Sequence, residues 1–431
     1  MKFIQSVILS EAVRRSRRIC LSRPFDRLRV NSGGNLLSCL SLFILLSLSA
    51  CTDYAAKMED DFEEWRTAQS YEKADIGTLF AVNEGRQICN PSVSQDTVNY
   101  SASMLWLNFG GKLNVIAPDT VYTTSKVVQH DRLTVSDTSG HVRWYLMRDT
   151  EAGDCQFQDP EWSTHPNFLV ALRAYDTKGN KDCLNLDYGM FAVRVSDKKK
   201  FFFFDKDVSE YATPHVWVDP DAVRDTAAAD STVEGFFGTK QVRLVYVDKK
   251  DQIVFVDYAN GGTEKAITLK KPSDVDGWMM DSPMISPDGN FVVYNMINMS
   301  MTGWKSFIQH LSDMSKPIEI EKMTDMISEP VQPHWFGFAG RLFVVWTEFP
   351  QGASFVNKND LSYVSVQNGS VGRTAMREIR LIADAPTDIA FEWIGDVEEI
   401  APIPMIGGRS PDGRFLATGT NLGYLLNLSL D

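Results

Sequence analysis

The stretch Ser286-Pro287-Asp288-Gly289-Asn290-Phe291 returns near the C-terminus as Ser410-Pro411-Asp412-Gly413-Arg414-Phe415. In each copy the proline fixes φ at the second turn position, the aspartate can bond back onto nearby amides, and the glycine accepts the last position. An apolar run follows each copy, Phe291-Val292-Val293-Tyr294 and Phe415-Leu416-Ala417-Thr418, so both read as a tight turn feeding a strand. A degenerate third copy lies between them, from Pro333 to Trp346, in which Gly340 keeps the turn while Ala339 replaces the aspartate. Pro283, Pro333 and Pro404 stand a few residues before the three turns, which makes the pattern a repeat and not three unrelated loops. The turn residues Pro287, Asp288, Gly289, Gly340, Pro411, Asp412 and Gly413 are accordingly expected to be structural.

Outward from these turns, the whole chain after Asp75 alternates brief apolar runs with turn clusters and carries no long helical pattern. Six units of three or four strands follow, opening at Pro91, Pro166, Pro214, Pro283, Pro333 and Pro404. Their spacing, 48 to 75 residues, suits a blade of four strands with variable loops and is far too long for a β-helix coil. The last unit is short of strands, and Leu79-Phe80-Ala81-Val82 has no partner of its own. The expectation is that this strand closes the ring against residues 404–430, since an open propeller would expose unpaired edge amides.

The Ser-Pro-Asp-Gly turn followed by an aromatic and an apolar strand resembles the repeats of TolB-like six-bladed propellers. Residues 80–431 further resemble a family of paralogous lipoproteins with such repeats from fibre-degrading bacteria. That resemblance rests on Cys89-Asn90-Pro91-Ser92, Leu107-Asn108-Phe109-Gly110-Gly111, Glu161-Trp162, His165-Pro166 and Gly407-Gly408-Arg409-Ser410-Pro411-Asp412. It implies an all-β, six-bladed TolB-like propeller over residues 79–431 that binds partners without catalysis. The degenerate turn at Gly340 departs from the pattern.

The N-terminus reads as a targeting device. Residues 1–50 hold eight Lys/Arg against Glu11 and Asp26, and an apolar run ends in Leu48-Ser49-Ala50-Cys51, which resembles the lipobox of bacterial lipoproteins. The expected organisation is a signal peptide over 1–50, an acidic tether over 51–78 and the propeller. The resemblance to lipoproteins implies lipid on Cys51 and, with Thr52 behind it, sorting to the outer membrane of the cell envelope. The run from Leu36 to Ala50 is too short to span about 30 Å of hydrocarbon comfortably. No Met lies between Met1 and Met58, which leaves a non-Met start such as the codon of Val30 as an alternative for the long leader. Met58, Phe62 and Trp65 stand at helical spacing and read as a short amphipathic helix in the tether.

The chain carries a net charge of −13 even with that basic leader, which argues against nucleic acid as a partner. After removal of the leader and lipidation of Cys51, three cysteines remain. Either Cys155 bridges Cys183 or all stay free thiols. No Gly-x-Ser-x-Gly elbow, His-Glu-x-x-His motif or Cys-x-x-Cys pair is present. His165, His215 and His334 each adjoin a proline and read as repeat-position residues lining a rim or channel. Asp219, Asp221, Asp225 and Asp230 follow calcium-loop spacing, but Arg224 stands where glycine is needed. Lys198-Lys199-Lys200 before Phe201-Phe202-Phe203-Phe204 reads as a charged turn entering a buried strand, with a membrane-inserting patch as the alternative. The reading is a protein-binding or scaffold module of the envelope with no cofactor or metal. Alternatives are a polysaccharide binder that stacks sugars on Trp and Tyr, and a propeller glycosidase or lyase marked by carboxylates at one channel mouth.

Overall fold

The computed structural model describes residues 77–81, 88–94, 103–108, 130–137, 140–179, 183–223, 230–260, 266–298, 303–311, 316–323, 329–338, 340–348, 373–382, 391–401, 406–409, 415–418 and 424–428. Cys51, the tether helix at 58–65, Pro404, Pro411, Asp412 and Gly413 lie outside them.

Five antiparallel sheets are each made of four consecutive strands. The opening strand β1 (Gly77–Ala81) pairs elsewhere, so the first sheet begins at the second strand of the chain. It comprises β2 (Ile88–Val93), β3 (Met104–Asn108), β4 (Arg132–Ser136) and β5 (Val142–Met147). The second comprises β6 (Asp154–Trp162), β7 (Phe168–Asp176), β8 (Leu186–Arg194) and β9 (Lys200–Phe204). The third comprises β10 (His215–Val218), β11 (Val242–Val247), β12 (Ile253–Asp257) and β13 (Ala266–Thr268), with a five-residue helix α1 (Val233–Phe237) inside its first connection. The fourth comprises β14 (Met279–Ile285), β15 (Phe291–Ile297), β16 (Trp304–His310) and β17 (Ile318–Glu319). The fifth comprises β18 (Val331–Phe338), β19 (Arg341–Glu348), β20 (Arg373–Leu381) and β21 (Phe391–Ala401).

A further four-stranded sheet joins the two ends of the chain. It runs in the order β1, β24 (Tyr424–Leu428), β23 (Phe415–Thr418), β22 (Ile406–Arg409). Gly77 pairs with Leu428 and Ala81 with Tyr424, antiparallel, so the N-terminal strand does meet the C-terminal ones. The expected count of six blades is corrected: five blades are uninterrupted meanders, and the remaining sheet is a composite of the two chain ends. The first strands β2, β6, β10, β14, β18 and β22 touch in that order, and β22 touches β2. This circular neighbourhood of four-stranded sheets makes the chain an all-β propeller.

The packing explains the unbroken apolar runs. A blade buries both of its faces, so odd and even positions are both apolar and point to opposite neighbours. Leu169 and Ala171 of β7 pack with Leu105, Leu107, Leu133 and Val135 of the first blade. Phe168, Val170 and Leu172 of the same strand pack with Val216, Leu244 and Val254 of the third. Phe291 and Val293 of β15 face Val344 and Trp346, while Val292 and Tyr294 face Val245 and Phe255. Each fully buried side chain of this kind contributes roughly 1.5–3 kcal/mol by transfer from water.

The strand Phe201-Phe202-Phe203-Phe204 is the outer strand of its blade. Phe201 and Phe203 pack against Phe236 and Phe237 of α1, with centroids 5.4–6.1 Å apart for the pairs involving those rings. Cys155 is bonded to Cys183 with Cα atoms 5.8 Å apart, which ties the start of β6 to the β7–β8 connection and settles the cysteine alternatives. Among the described residues no helix is long and apolar enough to cross a membrane.

Candidate functional site

The first strand of each meander blade carries the same local device. A polar residue in the left-handed region stands directly before a proline: Asn90 (φ 45°), Asp159 (φ 43°), Thr213 (φ 37°), Ser282 (φ 48°) and Gln332 (φ 53°). Such a conformation costs about 1–3 kcal/mol for a residue with a side chain, so five instances at one structural position are held in place by the surroundings. Four of the five coincide with a slip in register against the second strand, between Cys89 and Ser92, Gln158 and Glu161, Asp281 and Met284, and Val331 and His334. The proline has no N–H to offer a ladder and is tolerated because the strand is the inner edge of its sheet. The second blade therefore opens at Pro160. Pro166, which the spacing had selected, belongs to the β6–β7 turn, where Phe168 N donates to the His165 carbonyl at 3.1 Å.

At two of the seams these residues link neighbouring blades directly. Asn90 Nδ2 donates to Asp159 Oδ1 at 2.8 Å, and Ser282 N donates to Thr213 Oγ1 at 3.1 Å. One residue after the proline, Ser92 Oγ accepts from Trp162 N at 3.1 Å and donates to Glu161 Oε1. His215 holds the equivalent place, its Nδ1 accepting from Ile285 N at 3.1 Å, which makes this imidazole a structural acceptor. His334 differs. Its Nδ1 lies 2.8 Å from the Gln332 carbonyl, so Nδ1 carries the proton and donates there. His165 is off the inner strand altogether, accepting at Nδ1 from Asn167 N at 3.2 Å.

Residues of β6, β14 and β18, with Thr213 and Pro214 just before β10, line a small cavity of about 20 Å³ that opens to solvent. Pro160, Pro214, Pro283 and Met284 give it apolar walls. Asp159, Glu161, Thr213, Ser282 and His334 supply the polar groups. Behind Ser282 stands Asp281, fully buried. Its Oδ2 accepts from Ser282 Oγ at 2.9 Å and from Asn295 Nδ2 at 3.0 Å, and Asn295 Oδ1 in turn accepts from Gln332 N at 3.1 Å. Oδ1 of Asp281 has no hydrogen-bond partner among the described residues. Burial pushes this carboxyl up to about 7; the bonds from Asn295 and Ser282 pull the other way, and the charge of Asp159 adds to the rise. Sequence reading did not find Asp281, Asn295 or the X-Pro collar. The recurrence of a polar residue before proline was the available signal.

The turn that organises the sequence lies at a blade seam. Gly289 has φ 79°, and its N donates to the Ser286 carbonyl at 2.9 Å. Trp217 of the preceding blade donates from Nε1 to the Pro287 carbonyl at 2.8 Å. Gly340 also has a positive φ, 74°. Of the candidate calcium residues, Asp230 is taken by Arg194 at 2.9 Å and by Lys199, and Asp219 accepts from Asp221 N at 3.0 Å. Of the nine described tryptophans, six are buried and Trp144, Trp278 and Trp393 are partly buried.

No protein-family model and no curated protein matches the chain. Among solved structures it is similar to a putative TolB from Agrobacterium tumefaciens at 12% identity, over 82% of this chain and 97% of that one, with a TM-score of 0.39. An exo-1,5-α-L-arabinanase from a bovine ruminal metagenomic library matches at 10% identity over 73% and 100% of the two chains, TM-score 0.37. A putative oxidoreductase (glucose dehydrogenase) from a Thermus species matches at 10% identity over 82% and 100%, TM-score 0.41. At these scores no residue role passes from those proteins to this chain.

Proposed function

We propose that this chain is a lipid-anchored propeller of the bacterial cell envelope that acts as a protein-binding or scaffold module. The observation that supports it is how the inner-strand polar groups are used. Asp159, Glu161, His215 and Asp281 all take part in bonds that tie a blade together or to its neighbour, as a rigid presenting ring requires. In this reading the composite sheet of β1 and β22–β24 serves as a sixth blade, and Cys51 carries lipid that holds the ring at the outer membrane.

A second reading, glycoside hydrolysis, is favoured by one observation: Asp159 and Glu161 both line the cavity. For the polysaccharide-binding reading, most of the described tryptophans are buried in the core and only Trp144, Trp278 and Trp393 are partly accessible. Cross-linking of the mature chain in intact envelopes, followed by binding measured with the purified captured protein, tests the proposal. A saturable complex at stoichiometric ratio is expected. Release of reducing sugar from a polysaccharide panel, abolished by Glu161→Gln, would replace the binding reading with the hydrolytic one.

A further inference from the structure

Leu184, in the connection between β7 and β8, is 80% exposed, whereas the other large exposed apolar side chains among the described residues, Met147, Ile318 and Ile382, stand at 37–39%. A single surface leucine is ordinary by itself. What sets this one apart is how firmly its backbone is held. It follows Cys183, which is bonded to Cys155 near the start of β6 and sits in the left-handed region at φ 53°. The buried carboxylate of Asp176, at the end of β7, accepts from Leu184 N at 3.0 Å and Asn185 N at 3.1 Å through Oδ2, and from Lys178 N at 2.8 Å through Oδ1. Cys155 is anchored in turn, since Arg148 donates from Nη1 to its carbonyl. A free loop would turn an apolar side chain back onto the body to leave water. Here a disulfide, three amide bonds to one carboxylate and a strained backbone residue hold the leucine out.

The pairing registers say on which face of the ring this happens. Asp154, the first residue of inner strand β6, pairs with Tyr175, so the β7–β8 connection lies at the end where the inner strand begins. In the composite sheet the row at that end runs Ile406, Thr418, Leu425, Phe80, and the opposite row runs Arg409, Phe415, Leu428, Gly77. The chain thus enters the ring at Gly77, on the face away from Leu184. That placement sets a membrane-tethered leader and Leu184 on opposite faces. The exposed carboxylates Asp149 and Glu151, in the turn between β5 and β6, also disfavour an anionic lipid surface beside it.

We propose that Leu184 is the anchor of a protein-docking face on the side of the ring away from Gly77, and that it inserts into an apolar socket of leucine size on a partner protein. A side chain already held in place loses little freedom on binding, so most of its transfer from water goes into affinity. The inference rests on the binding-module reading and specifies which surface of that module makes contact.

Site-specific cross-linking tests it, with Leu184 replaced by p-benzoyl-phenylalanine in the full chain and irradiation in intact envelopes. The expected product is an adduct with one other protein, absent when the same group replaces Ile382. That protein, purified, should bind Leu184→Ser about ten-fold or more weaker than the wild type, the loss of one buried leucine, and bind Ile382→Ser as the wild type. The melting midpoint of Leu184→Ser should stay unchanged, because the side chain is exposed in the free ring. An adduct with phospholipid, an adduct with a second copy of this chain, no adduct at all from position 184, or undiminished binding by Leu184→Ser overturns the inference. A partner captured only through other positions sinks this inference alone, whereas no partner from any position sinks the binding-module reading with it.

Discussion

Gly289 shows how one residue is fixed by two separate constraints. Its φ of 79° lies where a side chain is strained, and a Cβ would stand 2.6 Å from the ring of Trp217. Gly289→Ala should therefore cost more than the ~1 kcal/mol of backbone strain alone, and Gly289→Val more again, read as a shift in urea midpoint at constant slope. Gly337→Ala is the fitting reference, since nothing lies within 4 Å of a Cβ there and its φ is unremarkable for an L residue. Gly77, otherwise a natural choice, lies in β1 and is not neutral. Asp281 gives a second prediction at this scale. Its folded value is raised to about 7, from about 3.9 in an unfolded chain, so the native state holds the proton more tightly between those values. Stability then falls as pH rises from about 4 to about 7 and levels off above, by about 4 kcal/mol for this group. Glu348, raised to about 7 chiefly by burial, acts in the same direction. Urea midpoints at pH 5 and pH 8 should differ less in Asp281→Asn than in the wild type; an unchanged difference would mean that Asp281 is ionised throughout.

At the scale of elements, strand β1 and the Cys155–Cys183 bridge each connect parts distant in sequence. β1 gives the sheet of β22–β24 its outer strand, so removal of residues 52–75 should leave a folded body, and removal of 52–84 should destabilise it broadly. Circular dichroism melts that superimpose for the two truncations would remove the closure argument. The bridge closes a separation of 28 residues, for which the loss of chain entropy on reduction corresponds to about 3–4 kcal/mol. Reduction should lower the urea midpoint accordingly, and Cys155→Ser with Cys183→Ser should reproduce the effect and abolish its sensitivity to reductant. The X-Pro collar belongs to this scale as well. Asn90 and Asp159, and likewise Thr213 and Ser282, stand 69 residues apart and touch, whereas the intervening spacings differ, so the repeat is carried by the polar-residue-proline pair and not by a fixed period. His165-Pro166 misled because a proline in a hairpin turn and a proline in a bulge look alike without the pairing partner.

For the whole molecule, the lipid anchor and the ring are separable claims. Cys51→Ser is expected to leave an unprocessed precursor that takes up no labelled fatty acid, while the secreted ring melts as before; equal labelling of the variant would end the anchor proposal. What the sequence by itself determined was the class of architecture. Apolar runs punctuated by Pro-Asp-Gly turns are local signals, set by φ preferences and by burial on both faces of a strand, and they sufficed for an all-β propeller closed by its N-terminal strand. The same local chemistry placed a turn at Gly289. Only the tertiary structure decided which prolines open the blades, that five blades are meanders and the remaining sheet is shared between the chain ends, and that Cys155 meets Cys183. It alone brought Asp159, Glu161, Ser282 and His334 around one cavity and buried Asp281 beside it. Those residues come from three blades, and their approach is fixed by the packing of one sheet on the next, a property of the closed ring that no stretch of sequence carries in itself.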